Sequence, residues 1–165
     1  MRLFFRLTLI MALLLAVSGC SSKFRTYDGP AVTKIIVFKN ARAMHLMHNK
    51  KVLRSYRIDL GFEPRGDKKV SGDGRTPEGL YFIDRRNPRS RFHLSLGINY
   101  PNARDRAEAK ALGKDPGGDI FIHGRGNPAG LLVRDWTWGC IAVSNDEMEE
   151  IYAMVRTGTP IAIYR

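Results

Sequence analysis

The 165-residue sequence has little of what most metal and disulfide sites are built from: two cysteines, four histidines, and no HExxH run or paired-cysteine spacing. No metal site is therefore expected, and no cofactor. His45 and His48 come nearest to a ligand pair, but positions three apart on a strand face opposite sides and do not readily share an ion. Walker and Rossmann spacings are missing too, so the glycines between Gly61 and Glu78 read as turns. Internal repeats and low-complexity segments are absent. Acids are scarce: 16 Asp and Glu stand against 27 Lys and Arg, a formal net charge of +11. With no RRM, helix-turn-helix or zinc-finger pattern, nucleic acid is not an expected partner. The surplus suits an acidic cell wall or an anionic membrane face, or simply a solvated basic surface.

No apolar run reaches the roughly 20 residues of a transmembrane helix. The longest, Leu7 to Val17, is broken only by Thr8 and follows Arg2 and Arg6, the pattern of a secretory leader. Val17-Ser18-Gly19-Cys20 closes it and resembles a bacterial lipobox, which implies cleavage before Cys20 and acylation of its thiol. Ser21 after that cysteine implies a periplasmic protein anchored by its lipid, at the outer membrane of a Gram-negative cell. Three parts follow: a leader at 1–19, a polar lipidated tether at 20–32, and one domain at 33–165. Losing Arg2 and Arg6 lowers the charge from +11 to +9. Lipidation of Cys20 also leaves Cys140 without a disulfide partner. A lone thiol is either a small buried hydrophobe or a reactive group. Gly139 before it, with Asp135 and Thr137 nearby, speaks against full burial.

Within the domain, alternation and turn residues predict mostly strands. Ile35 to Phe38 is β-branched and aromatic and reads as a strand buried on both faces. Ala43–His48 and Lys51–Leu60 form a hairpin about Asn49-Lys50. Leu80 to Ile83 is a further strand, and Phe92, Leu94 and Leu96 alternate with His93 and Ser95 as another, His93 lying on its polar face. The run from Ala103 is helical, with Asn102 as N-cap and Gly113 just past its end. Ser144 and Glu147 form a capping box before a helix whose Met148, Ile151, Tyr152 and Val155 share one face. Ile161 to Tyr164 is the last strand. The class is α+β, a curved mixed β-sheet or sandwich with two helices against it.

The chemistry concentrates between Ile120 and Asn145. Ile120-Phe121-Ile122 is a strand that ends in His123-Gly124, and Gly139-Cys140 returns 17 positions after the histidine. An imidazole that removes the proton of a thiol makes it a nucleophile. His123-Gly124, then Thr137-Trp138-Gly139-Cys140 with Asn145 beyond, resembles the signature of the L,D-transpeptidase catalytic domain (YkuD) family. Gly72-Asp73-Gly74-Arg75-Thr76-Pro77-Glu78-Gly79 also resembles a segment that lies near the active face in that family. Asp135-Trp136-Thr137 and Ala142 resemble its YafK-like branch, in which peptide-cleaving members are known.

The resemblance implies that Cys140 attacks a peptide bond of a peptidoglycan stem and that His123 serves as base. It also implies that the Gly124 carbonyl orients the imidazole and that the N–H groups of Gly139 and Cys140 receive the oxyanion. The resulting thioester passes to an amine, giving cross-linking or protein attachment, or to water, giving hydrolysis. A non-catalytic wall-binding lipoprotein is the alternative outside the enzyme class. Thr137 replaces the usual Ser and is expected to hydrogen-bond within its loop. Ala142 replaces an arginine common in the family, so Arg134 and Arg125 are the candidates to hold substrate carboxylates. Of the two tryptophans flanking Thr137, one is expected in the core and Trp138 at the cleft wall.

Overall fold

The computed structural model describes residues 22–126 and 133–165; the expected leader and the Cys20 lipidation site lie outside the described residues. Its elements are β1 (Lys34–Phe38), β2 (Ala43–His48), β3 (Lys51–Arg57), β4 (Gly79–Asn87), β5 (Ser95–Ile98), α1 (Ala103–Ala111), β6 (Phe121–His123), β7 (Ile141–Ala142), α2 (Asn145–Met154) and β8 (Pro160–Tyr164). The strands form one sheet in the order β3-β2-β1-β8-β4-β5-β6-β7. β1 runs parallel to β8 and β6 parallel to β7, while the other neighbours are antiparallel. The class is thus α+β, a curled mixed sheet with two helices. The curl centres on β4. Gly79 to Phe82 pair with β8, Ile83 to Asn87 pair with β5, and the register slips between Ile83 and Arg85. Such an irregularity bends and twists a strand, so one long strand serves both halves of the sheet.

Apolar side chains at every second position fill the inside of the curl, among them Ile35, Val37, Met44, Leu46, Ile161 and Ile163. Each fully buried aliphatic of this kind contributes roughly 1.5–3 kcal/mol relative to exposure. α2 packs against β5 and β6. Its predicted face is the buried one, with Met148, Ile151, Tyr152 and the capping Val155 all inside. Both helices begin at capping boxes: Ser144 with Glu147, and Asn102 with Asp105, whose carboxylate accepts from the Asn102 N–H at 2.9 Å.

Three readings of the sequence need correction. β1 is buried on one face only, because Phe38 lies on the outer surface, stacked 5.7 Å from Tyr164. The strand expected from Phe92 starts at Ser95; His93 has φ +74 and sits in the turn before it, with Nε2 2.8 Å from Glu149 Oε1. Strand parity also fails for His45 and His48, since a register shift between Leu46 and Met47 leaves both half-exposed. They have separate partners nonetheless: Ser55 Oγ for His45 and the Ala31 carbonyl for His48, each at 2.8 Å.

Residues 22–32 lie against the domain. Tyr27 packs on the core, Arg25 pairs with Glu149 at 2.9 Å, and Lys23 Nζ donates to the Pro88 and His93 carbonyls at 2.8 and 3.0 Å.

Candidate active site

His123 is the last residue of β6, between Ser95 of β5 and Ala142 of β7. Cys140 immediately precedes β7. Because His123 is level with Ala142, Cys140 is displaced by two residues along the neighbouring strand and therefore lies on the same face of the sheet. Imidazole and thiol line one open cavity of about 450 Å³. Asn87 at the end of β4 and Arg89, Arg91 and Phe92 of the β4–β5 loop supply much of the remaining wall.

The imidazole is buried, and two aromatic rings hold it. Phe92 stacks on it with centroids 4.5 Å apart, and Trp136 meets it edge-on at 5.6 Å. Nδ1 lies 2.6 Å from the Gly124 carbonyl. A carbonyl only accepts, so Nδ1 carries the proton and Nε2 keeps its lone pair. Burial lowers the imidazole pKa from its ordinary value, opposed in part by the bond to Gly124. Burial thus favours the neutral ring, whose Nε2 can accept a proton.

Cys140 is partly buried and is a free thiol. Burial raises its pKa; the Phe121 N–H acts in the opposite sense, while Asp119 adds to the rise. Its Sγ lies 3.5 Å from the Asp119 carbonyl. Burial thus pushes the thiol up and the imidazole down, in both cases toward the uncharged form.

Thr137 ties the loop that presents the thiol. Its hydroxyl donates to the Cys140 carbonyl at 2.7 Å and accepts from the Gly139 N–H at 3.1 Å. Its backbone bonds to Leu60 and Phe62, which anchors the loop to the chain beyond β3. The Gly139 N–H is therefore engaged within the loop and does not face a substrate oxygen, unlike the paired donors expected from the resemblance.

Close backbone approach explains two of the motif glycines. At Gly139, with φ +120, a Cβ would lie 2.5 Å from the Arg75 carbonyl. The Gly72–Gly79 segment thus buttresses the thiol loop from behind, and none of it lines the cavity. At Gly124 a Cβ would lie 2.6 Å from Asn145 Oδ1. That oxygen accepts from the Arg125 and Gly126 N–H groups at 2.9 and 3.1 Å, while Nδ2 donates to the Gly126 carbonyl at 2.8 Å. Asn145, at the start of α2, so fixes the turn whose carbonyl orients His123.

The expected substrate arginines lie elsewhere. Arg125 bonds to buried Asp59, and Arg134 Nε comes within 3.8 Å of the same carboxylate. Both line a different concavity from the one holding Cys140. Trp138 is 70% exposed and packs edge-on against Phe62 at 4.9 Å, outside the lining of the thiol cavity. Trp136 is the tryptophan at the imidazole. Sequence reasoning missed Phe92, Arg89, Arg91 and Asp59. Nothing local marks them, since their roles arise from contacts across 30 or more residues.

The YkuD family, the L,D-transpeptidase catalytic domain, matches residues 33–163. YafK of Escherichia coli (strain K12), named only provisionally as an L,D-transpeptidase, is 32% identical over 127 residues, 73% of this chain and 46% of YafK. The helical cell shape determining protein Pgp2 from Campylobacter jejuni is similar with a TM-score of 0.63 and 26% identity, over 88% of this chain and 51% of Pgp2. An L,D-transpeptidase from Mycobacterium smegmatis shares the fold with a TM-score of 0.55 at 17% identity, over 82% of this chain and 59% of its own. The chain spans about half the length of the curated relatives it matches.

Proposed function

This chain belongs to the L,D-transpeptidase catalytic-domain family, and from that premise we propose that it is a cysteine acyltransferase acting on peptidoglycan stem peptides. The observation that supports this most is the His123 tautomer. Nδ1 is spent on the Gly124 carbonyl, which leaves Nε2 as a base beside the one cavity that Cys140 also lines. As the sulfur attacks the carbonyl carbon, Nε2 takes the thiol proton. A C–S bond forms, the C–N bond breaks, and the imidazolium returns the proton to the departing amine. A thioester on Cys140 remains. An incoming amine then gives a transferred or cross-linked product, and water gives a cleaved stem.

With the Gly139 N–H held by Thr137, the Cys140 N–H is the backbone donor assigned to the oxyanion. Arg89 and Arg91 at the cavity wall supply the positive charge for substrate carboxylates that the family often takes from an arginine at position 142. The apolar run Leu7 to Val17 after Arg2 and Arg6, closed by Val17-Ser18-Gly19-Cys20, supports a periplasmic location with a lipid anchor at Cys20.

Intact-mass measurement after exposure to a carbapenem tests the reading. One adduct on Cys140 is expected, lost in Cys140→Ala and strongly slowed in His123→Ala. Wild-type protein that stays unmodified while correctly folded would refute it. Muropeptide analysis of treated sacculi then separates transfer, which creates new cross-links, from hydrolysis, which frees stems or attached protein.

A further inference from the structure

Away from the thiol cavity, the surface beside β2 and β3 is hollowed into three adjoining concavities of about 310, 540 and 510 Å³. Arg134 lines all three, Arg57 links the first to the third, and Arg42 links the second to the third. They form one trough that runs from Arg65 past Arg42, Arg134 and Arg57 to Ala142 and Val143. Among the described residues, none of its lining also lines the cavity of Cys140 and His123.

Its acids are already engaged. Asp59 holds Arg125 and is approached by Arg134; Asp135 takes Arg42 at 2.7 Å; Glu147 accepts the Ser144 N–H at 2.8 Å. Arg57 and Arg65 are exposed, and their guanidinium groups have no ion pair or hydrogen bond among the described residues. The trough therefore carries uncompensated guanidinium groups, which favour planar oxyanions such as carboxylates. Among the described residues Tyr56 is its only aromatic lining residue, and one ring is no platform for stacked bases. A concave run of charge also fits a strand better than a flat bilayer.

We propose that this arginine trough is a binding site, separate from the catalytic cleft, for a peptidoglycan strand, held through the carboxylates of its stem peptides. The proposal rests on the reading of Cys140 as a peptidoglycan acyl-transfer centre. Its end at Ala142 and Val143, just past the nucleophile, would keep a docked strand beside the reacting one.

Co-sedimentation with purified sacculi tests it, using full-length Cys140→Ala so that turnover does not contribute. Binding is expected to weaken between 50 and 300 mM NaCl. It should fall about tenfold or more in an Arg57→Glu/Arg65→Glu variant with an unchanged melting temperature, since charges at a surface of this kind act by screened attraction. An Arg57→Lys/Arg65→Lys variant should keep most of it, and sacculi whose carboxylates have been amidated should bind poorly. Unchanged affinity of the Glu variant, or full binding to amidated sacculi, overturns the proposal. So does a loss seen only with anionic phospholipid vesicles, which would assign the charge to the membrane. Failure of the catalytic reading is registered separately, by the absence of the Cys140 adduct in the wild type.

Discussion

Removing one hydroxyl at position 137 should cost this protein both stability and reactivity. Thr137→Val keeps the shape of the side chain but leaves the Gly139 N–H and the Cys140 carbonyl without the partner that bonds them at 3.1 and 2.7 Å. Thr137 is itself 3% exposed, so water does not readily replace the hydroxyl. Each buried backbone group left unpaired costs about 1–3 kcal/mol, and partial relaxation of the loop brings the sum to roughly 2–4 kcal/mol. With a urea slope of about 2 kcal/mol per molar, the unfolding midpoint falls by about 1–2 M. Trp136 and Trp138 flank the altered residue, so tryptophan fluorescence reports on it directly. The rate of carbapenem acylation should fall at least tenfold, because the loop that aims Cys140 loses its tie. Thr137→Ser keeps the hydroxyl and loses only a methyl group worth about 0.8 kcal/mol, so its acylation rate should stay near that of the wild type. A Thr137→Val protein with the wild-type midpoint and wild-type acylation would show that the hydroxyl does not hold the loop.

The pH profile of acylation follows from the buried pair. Burial lowers the His123 pKa, so the acid limb should lie below the ordinary imidazole value of about 6.5, and an acid limb at 7 or above would contradict it. Because the folded pKa is the depressed one, the His123 contribution to stability is complete above the unfolded value and is lost as pH falls through the folded value; urea midpoints measured across that window should fall on acidification. Gly139→Ala forces a Cβ to within 2.5 Å of the Arg75 carbonyl at φ +120 and should cost about 2–5 kcal/mol, whereas Gly72→Ala, with φ +78 but open space around it, should cost only about 1–2 kcal/mol; thermal melts distinguish them. Lys23→Met frees both carbonyls that Lys23 holds at the β4–β5 loop and should slow acylation several-fold with little change in melting temperature, as Phe92 loses its fixed position on His123. An unaltered rate would show that the loop is held by the domain alone.

Local sequence was enough for most of the secondary structure and for singling out His123 and Cys140, which the fold brings to one cavity. Alternating aliphatics marked the strands because one face of a sheet meets the core and the other meets water. Asn102 and Ser144 marked the helix starts because orphan N–H groups need acceptors there. His123-Gly124 and Gly139-Cys140 were legible as a unit because the family carries its chemistry in short motifs. Only the folded chain decided which charges face the thiol. Arg125 and Arg134 are near Cys140 in sequence, yet Asp59 draws both away, while Arg89 and Arg91 arrive on a loop from β4. The choice between Trp136 and Trp138 was likewise tertiary, set by the positive φ of Asp135 and its bonds to Arg42 and Leu60. A side chain's local neighbours set its conformational preference, but the field and the contacts it experiences come from strands paired across the whole domain.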